Sequence, residues 1–348
     1  MRWLMLSVAS PSIGLGHVSR TGLLAAAAAA QGVAVDVVVP PGSQRAQHVA
    51  GHAGVWHERP WHRASLAPFV AGSATPDVVV LDAPDEVLDG VGWISTERSA
   101  AGRPLVAAFR MYGVAGPGLP PEDVSLTPSF AAPAHRRSAP GGRRWRHVTG
   151  RELILVRERC FAPPDQSKDR PERVLITMGG ADPAGLTALA CEACDASITA
   201  RATVTVVVGA LDPRWPQLEA EHGGRLQLLR QGDVDFDDLL RRSAVAVIAG
   251  GLTRYECIAA RTPFVALSAT PEQAAFTRLV VEAGFGVHAG VGSELSSARV
   301  RAAVAGLLDD ASGRNTMAEL APRLLQREAP ARLCRQLNRW QAQAAVRA

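Results

Sequence analysis

Short apolar runs alternate with helix-forming stretches along the first half of the chain. The run Val78–Leu81 is continuous and rich in β-branched residues, as in a strand buried on both faces of a parallel sheet. Ala25–Ala30 favours a helix that ends at Gly32. The pattern predicts strands at Leu4–Ala9, Val33–Val39, Pro76–Leu81 and Pro104–Phe109, and a helix at Val18–Gln31. Such alternation is typical of a doubly wound α/β domain.

The second half restarts the same alternation. Predicted strands cover Arg173–Met178, Ala202–Val208, Leu226–Leu229, Ala244–Ala249 and Thr262–Leu267. Predicted helices start at Ala184 and cover Phe236–Arg242, Leu252–Ala260 and Gln273–Ala283. From Ser296 onward the chain favours helix, apart from Pro322 and Pro330. Two doubly wound domains in tandem therefore predict a ligand cleft at the carboxyl ends of the strands.

Two stretches interrupt the alternation. Pro and Gly are frequent in the segment 113–150, which favours a solvated loop or a lid that faces an acceptor or a phosphate. Five arginines of this segment lie close together in the sequence: Arg136, Arg137, Arg143, Arg144 and Arg146. The segment 163–171 is charged and bounded by prolines, as in a linker. We therefore predict domains at 1–162 and 172–325, and a C-terminal helix at 326–348 that is a candidate to pack back on the first domain.

Each half carries a glycine-rich turn between a predicted strand and a predicted helix, at Ile13–Arg20 and at Ala249–Glu256. Such a turn directs free backbone N–H groups and the positive end of a helix dipole at an anion. In the first turn, Gly14 and Gly16 allow close approach of a ligand. His17 at the helix start either acts as a general base or only caps its helix. Arg20, one turn later, is either a ligand for phosphate or carboxylate or a surface residue.

Three further turns of the second half end predicted strands at the same edge of the sheet. Gly179 and Gly180 indicate close approach of a ligand or of the other domain, and Gly209 ends the next strand. Asp182 is a candidate nucleotide ligand at this turn, but it is also placed to cap a helix that has Pro183 at its first position, a role that explains it without a ligand. Glu272 and Gln273 either bind sugar hydroxyls or start a helix after Pro271.

The second glycine turn offers the stronger site. Gly250, Gly251, Leu252 and Thr253 can present consecutive N–H groups and one hydroxyl to a diphosphate. Glu256 follows one turn into the helix, where it would meet ribose hydroxyls if phosphates occupied the helix start. The alternative for Glu256 is a solvated acid that the helix dipole favours.

Composition limits the possible functions. The formal charge is +4, and Lys168 is the one lysine among 37 basic residues. The chain lacks the basic–aromatic pattern of nucleic-acid modules, so we expect no nucleic-acid partner. Five cysteines do not form a disulfide framework, and Cys191 and Cys194 lack a second pair that would complete a zinc site. No run reaches the ~20 apolar residues of a membrane helix, and we expect a cytoplasmic protein. No acid pair stands in an obvious metal position, so we expect neither metal nor cofactor.

The motifs are similar to those of known nucleotide-sugar enzymes. The Gly-Leu-Gly-His-Val-Ser-Arg turn resembles that of the UDP-sugar hydrolases of pseudaminic-acid biosynthesis and the Gly-Gly-His turn of the lipid II N-acetylglucosaminyltransferase. The segments starting at Met178, Ala249 and Pro263 resemble the hydrolase's second domain in the same order, and Gly150–Phe161 resembles its segment before the linker. The resemblance implies a GT-B fold, with two Rossmann-like domains facing a central cleft. It also implies a UDP-sugar substrate, uracil and diphosphate held mainly by the second domain, and His17 as catalytic base.

The chain departs from the hydrolases at two positions. Their Asp-His-Tyr is here Asp82-Ala83-Pro84, and their usual Asn-Gln is Glu272-Gln273. The first change removes two polar groups from the sugar side and favours transfer. The resulting hypothesis is a metal-independent, inverting glycosyltransferase that uses a nucleotide sugar and an unknown acceptor. A UDP-sugar hydrolase, a nucleotide-sugar 2-epimerase and a non-catalytic binding protein are the alternatives, and the oligomeric state stays open.

Overall fold

The computed structural model divides into two compact units. It describes residues 1–43, 53–70, 75–84, 87–88, 91, 93–94, 104–111, 122–131, 145–162 and 172–345, and the backbone alone of 134–138. The first unit contains 1–9, 17–155 and 328–348, and the second contains 10–16 and 156–327. The predicted linker 163–171 lies outside the described residues.

The first unit is built on an eight-stranded sheet with strand order β3-β2-β1-β4-β5-β6-β8-β7. All neighbouring strands are parallel except β7 and β8. Every residue of β4 and β5 is buried, as the apolar runs predict, and so is every residue of β6, which has no such run. The strands are β1 (Arg2–Ser7), β2 (Ala34–Val39), β3 (Val55–Glu58), β4 (Val78–Asp82), β5 (Leu105–Phe109), β6 (Val124–Pro128), β7 (Ala134–Ser138) and β8 (Trp145–Gly150).

Helices α1 (Gly16–Ala29), α2 (Arg63–Val70) and the C-terminal α11 (Ala329–Ala345) accompany this sheet. Helix α11 buries Ala329, Leu333, Cys334 and Leu337 in the same core as β1 and β5. The indole N–H of Trp3 donates to the Asn338 side chain at 3.1 Å, and Trp340 lies under the guanidinium of Arg146 at 5.3 Å. The last helix of the chain is therefore part of the first unit.

The second unit is a fully parallel six-stranded sheet with order β11-β10-β9-β12-β13-β14. Its strands are β9 (Arg173–Thr177), β10 (Thr203–Val208), β11 (Gln227–Arg230), β12 (Val245–Ala249), β13 (Phe264–Ser268) and β14 (Val287–Val291). Its helices are α3 (Leu186–Ala193), α4 (Ala196–Thr199), α5 (Trp215–His222), α6 (Phe236–Arg241), α7 (Thr253–Ala260), α8 (Pro271–Glu282), α9 (Ser297–Asp309) and α10 (Ala311–Leu324). Two parallel-sheet α/β units confirm the predicted fold class.

The predicted loop between 113 and 150 is wrong over its described parts, because β6, β7 and β8 occupy them. Trp145 and Val148 are buried, and Ser125 accepts from the Trp145 indole at 2.8 Å. Arg146 lies on β8 rather than in a loop, and its guanidinium stacks over the Trp340 ring. Arg136 and Arg137 belong to β7, and 139–144, with Arg143 and Arg144, lies outside the described residues. Scattered Pro and Gly concealed short strands here.

Other differences are smaller. Strand β3, helices α2, α4 and α5, and strand β14 had no sequence prediction, and the helix expected from Ala184 begins at Leu186. Within the part of the chain that the structure describes, no helix has the length and apolar character needed to cross a membrane.

Gly286 and Gly306 provide a matched test of the second unit's packing. Gly286 has a φ of +84°, and a Cβ there would lie within 2.7 Å of the Phe264 ring. We expect Gly286→Ala to destabilise the protein by about 2–4 kcal/mol through backbone strain and overpacking. Gly306 lies in α9 with open space around its Cβ position, so Gly306→Ala is expected to stabilise it by about 0.5–1 kcal/mol. Chemical denaturation measures both, and equal effects would contradict this packing.

Candidate functional site

Each sheet has a point where the strand order reverses, and the predicted site residues collect at these two points. In the first unit the reversal lies between β1 and β4, which are neighbours in the sheet. The chain leaving β1 leads to α1 and His17, and β4 ends at Asp82. Ligands of open α/β sheets bind in the crevice outside such a point. The topology thus places a His and an Asp at the position where a ligand is expected.

His17 and Asp82 are hydrogen-bonded. The His17 Nδ1 atom lies 2.7 Å from Asp82 Oδ1. The Asp82 side chain is fully buried, whereas the His17 side chain keeps 16% of its exposure. An ionised carboxylate only accepts hydrogen bonds, so Nδ1 carries a proton that it donates to Asp82. In the neutral ring the lone pair is then on Nε2, the atom that can accept a proton from a substrate.

Arg20 holds Asp82 ionised. Its Nε donates to Asp82 Oδ2 at 2.8 Å and its Nη2 donates to Oδ1, while the Thr21 hydroxyl lies 3.4 Å from Oδ2. Burial raises the pKa of Asp82, but the charge of Arg20 and the bond from His17 outweigh it, so the pKa lies below 3.8. The Arg20 guanidinium also lies 4.6 Å from the centre of the Phe109 ring. The carboxylate is therefore fixed in charge and in orientation.

The burial of Arg20 contradicts one of its two interpretations. The side chain is 2% exposed, so it is not a surface residue. Its guanidinium binds the protein's own carboxylate and the Met111 sulphur, and the role of Arg20 as a ligand for phosphate or carboxylate stays a prediction. In the sequence, Asp82 stands out only as the remaining residue of a motif. The signal for its role was an acid directly after a buried strand that neighbours β1.

The first glycine turn belongs by its contacts to the second unit, which contains residues 10–16. Gly14 has a φ of +83° and its N–H donates to the Ser10 carbonyl at 2.7 Å, which closes a tight turn. Leu15 fills the space where a Cβ of Gly180 would lie, and Leu252 lies 3.4 Å from the corresponding position of Gly16. Gly16 and Gly180 thus allow close packing, and open space lies beside Gly14.

In the second unit the strand order reverses between β9 and β12. The turn after β9 has Gly179 at a φ of +82°, with nothing within 4 Å of its Cβ position. A Cβ at Gly209 would clash with the backbone of Gly179 and Gly180, so Gly209 serves this close approach of two loops. Of these glycines, Gly179 is the one with room beside it for a ligand.

Asp182 acts inside the protein. Its two carboxylate oxygens accept from the N–H groups of Leu186 and Thr187 at 2.9 and 2.8 Å, and Arg214 lies 3.1 Å away. The side chain is buried and the residue has a φ of +47°. The helix starts at Leu186 with Gly185 at its N-cap, so the prediction that Asp182 is the N-cap and Pro183 the first helical residue is wrong. Asp182 still caps the first turn through its side chain, and its role as a nucleotide ligand stays a prediction.

The second glycine turn, after β12, has one crowded and one open position. A Cβ at Gly250 would lie 3.0 Å from Gln273 Cβ and from Ser268 Oγ, whereas nothing lies within 4 Å of that position at Gly251. Helix α7 begins at Thr253, and no side chain caps its N-terminus at Leu252. Among the described residues no hydrogen bond reaches the Thr253 hydroxyl. The Gly250 N–H donates to the Leu267 carbonyl at 3.0 Å, so the prediction that it faces an anion is wrong. Within the described chain the N–H groups of Gly251, Leu252 and Thr253 have no acceptor, and with the free hydroxyl and the open space they make this turn a candidate anion site.

Glu256 is neither solvated nor free. Its Oε1 lies 2.9 Å from Arg157 Nη2, and Arg157 also binds Asp237 at 2.7 Å. Burial lowers the pKa of Arg157, but Glu256 and Asp237 outweigh it and raise the pKa. Burial raises the pKa of the Cys160 thiol, which donates to Asp237 at 3.3 Å. No local motif marks Arg157, which fixes the position of the Glu256 carboxylate from a distant segment.

Glu272 and Gln273 both support the start of α8. The Thr270 hydroxyl accepts from the Gln273 N–H at 3.3 Å, and Gln273 Oε1 accepts from the Ala269 N–H at 2.9 Å. Glu272 is exposed, and hydrogen bonds from its own N–H and from Thr270 hold its pKa below the usual value. The helix-starting role is thus present for both residues, and the side-chain amide nitrogen of Gln273 has no bond within the described chain.

Solved structures that are similar to this chain include glycosyltransferases. The chain is similar to the spinosyn rhamnosyltransferase SpnG complexed with thymidine diphosphate (TM-score 0.65, 19% identity, 97% of this chain and 100% of that one). It is also similar to the spinosyn forosaminyltransferase SpnP (0.65, 15%, 98% and 99%) and to Acinetobacter baumannii MurG (0.59, 16%, 97% and 100%). No family model and no curated protein matches the sequence. At these identities the likeness establishes the GT-B fold.

The Asp82 interaction gives a testable stability difference. Asp82→Asn leaves the buried Arg20 charge without its partner, so we expect a loss of about 3–5 kcal/mol in unfolding free energy at pH 7. Asp36, which pairs with Arg2 and His57 on a more exposed surface, provides a matched control, and Asp36→Asn is expected to cost about 1 kcal/mol or less.

The pH dependence follows from the lowered pKa of Asp82. Its stabilising effect is complete above the ordinary value of 3.8 and is lost as the pH falls through the folded-state pKa. The difference between wild type and Asp82→Asn must therefore shrink below about pH 4. Adding Arg20→Met to Asp82→Asn is expected to restore most of the stability at pH 7. A pH-independent difference, or no restoration, would contradict the assignment.

Proposed function

We propose that the protein is a nucleotide-sugar-dependent, inverting glycosyltransferase that uses a UDP-sugar without a metal ion, with His17 as general base. The observation that carries the proposal is the His17–Asp82 pair at the reversal point of the first sheet. The GT-B fold and the uncapped glycine turn of the second unit support it. SpnG was solved with thymidine diphosphate and with a spinosyn aglycone, ligands of the two classes that a glycosyltransferase needs.

The proposed chemistry begins with proton transfer. His17 Nε2 accepts the proton of an acceptor hydroxyl while Nδ1–H stays bonded to Asp82, which stabilises the imidazolium that forms. The acceptor oxygen bonds to the anomeric carbon as the glycosyl–phosphate bond breaks on the opposite face. The bonding electrons leave with the nucleoside diphosphate, and the anomeric configuration inverts.

The second unit holds the donor in this proposal. The N–H groups of Gly251, Leu252 and Thr253 and the Thr253 hydroxyl stabilise the departing diphosphate, and the α7 dipole supplies positive charge in place of a metal. Glu256, held by Arg157, accepts from the ribose hydroxyls through its second oxygen. The amide of Gln273 and the exposed Glu272 bind the sugar. Gly14 and Gly179 leave space for the ligand beside their turns.

Replacement of His17 tests the proposed base. We expect His17→Ala to lower kcat by about 10²–10⁴-fold, the usual contribution of a general base, with little change in nucleoside diphosphate affinity. His57 is a matched control because it also pairs with an aspartate, Asp36, at 2.8 Å. His57→Ala should retain turnover. Product formation from a pool of hydroxyl-bearing acceptors, followed by mass spectrometry, gives kcat, and full activity of His17→Ala would exclude the assignment.

A methyl group at Gly251 tests the proposed diphosphate site. Because the Cβ position is open, we expect Gly251→Ala to fold with an unchanged Tm. The added methyl group occupies space proposed for phosphate, so UDP affinity should fall about tenfold or more. Gly224→Ala, at another open position of the same unit, is the control and should bind UDP normally. Calorimetric titration measures both, and wild-type affinity in Gly251→Ala would place the diphosphate elsewhere.

A further inference from the structure

Arg254 is a buried cation in the first turn of α7. The residue is 2% exposed, its Nη1 donates to the Gly250 carbonyl, and its Nη2 donates to the Tyr255 hydroxyl at 2.9 Å. The guanidinium carbon lies 4.5 Å from the centre of the Tyr255 ring. Its Nε has no hydrogen-bond partner, and no carboxylate of the described chain forms an ion pair with it.

Other buried arginines of this protein have carboxylate partners. Arg20 binds Asp82, and Arg110 binds Glu122 at 2.9 Å. Burying an unpaired charge is costly, and the N-terminal turn of a helix is the least favourable place for a cation because the helix dipole is positive there. Arg254 has both disadvantages. A negative charge brought by a ligand would offset them together.

The hydrogen bond from Arg254 also orients the glycine turn. A trans peptide directs its carbonyl and its N–H in opposite directions. Because the Gly250 carbonyl is held by the buried guanidinium, the N–H of Gly251 points away from Arg254. Gly251 is exposed, with open space beside it. The same interaction thus places a positive charge behind the turn and a free donor in front of it.

We infer that Arg254 is a positioning residue for the diphosphate of the nucleotide, and that its charge, acting through the Gly250–Gly251 peptide, raises affinity for the anion. The inference rests on the proposed function, because it takes the nucleoside diphosphate as the ligand of this turn. It assigns Arg254 no direct contact with substrate.

The experiment compares three variants of the full chain. Arg254→Met removes the charge and keeps most of the side-chain volume, whereas Arg254→Lys keeps the charge. Arg261→Met removes an exposed positive charge at the other end of the same helix and serves as the control. Calorimetry measures binding of UDP, dTDP and pyrophosphate, and ligand-observed NMR measures binding of uridine and thymidine.

We expect Arg254→Met to weaken UDP or dTDP binding about tenfold, the order expected for one charge several ångströms from the phosphates. Nucleoside binding should be unchanged, Arg254→Lys should recover most of the loss, and Arg261→Met should bind as wild type. A salt titration should show a weaker dependence of affinity in Arg254→Met than in wild type.

Three results would overturn the inference. The first is an unchanged diphosphate affinity in Arg254→Met. The second is a loss of nucleoside affinity together with diphosphate affinity, which would make Arg254 a structural anchor. A failure of Arg254→Lys to recover binding would likewise exclude a charge effect. If wild type binds no nucleoside diphosphate but binds pyrophosphate with an affinity that falls in Arg254→Met, the anion site stands and the proposed function fails. If it binds none of these anions, both fail.

Discussion

The buried carboxylate of Asp82 joins the parts of the first unit on which the proposed chemistry depends. It ends β4, accepts a hydrogen bond from Nδ1 of His17 at the start of α1, and neutralises the buried charge of Arg20. Each contact constrains the others, because Arg20 keeps Asp82 ionised and an ionised Asp82 fixes the imidazole ring. Without this carboxylate, His17 would lose its orientation and Arg20 its counterion.

The electrostatics of the second unit differ at the corresponding point of its sheet, between β9 and β12. Here the positive groups are left without a protein anion: α7 has no side-chain cap, and Arg254 has no carboxylate partner among the described residues. Arg157, by contrast, is paired twice and holds Glu256. An unpaired basic group such as Arg254 suits a diphosphate, and an acidic group held in place, such as Glu256, suits the hydroxyls of a ribose.

Much of the fold follows from the sequence, because buried parallel strands leave continuous apolar runs such as those of β4 and β12. The strands β6 to β8 escaped prediction because polar residues interrupt them; Ser125 and Thr127 are buried with hydrogen-bond partners that only the folded chain provides. The glycine turns and His17 were recognisable as local motifs. The partners Asp82 and Arg157 were not, since each acts across 65 or more residues of sequence.

Local sequence also allowed two roles for several residues, and packing distinguished between them. The alternatives were a helix cap or a nucleotide ligand for Asp182, and an anion ligand or a surface residue for Arg20; both side chains make protein contacts. Asp182 could be understood as a cap from its neighbours alone, whereas the burial of Arg20 depends on Phe109 and Asp82 from other strands. Periodicity reports which face of an element is buried, but it does not report which distant charge meets that face.

The measurement that tests the central claim most directly is incubation of the wild-type protein with a panel of UDP- and dTDP-sugars and no acceptor. Mass spectrometry follows nucleoside diphosphate and free sugar over time, and calorimetry follows donor binding. A glycosyltransferase with His17 as acceptor base is expected to bind at least one donor and release its nucleoside diphosphate only slowly. Rapid, stoichiometric release of free sugar would show a hydrolase, and absence of binding to every donor would contradict the nucleotide-sugar assignment itself.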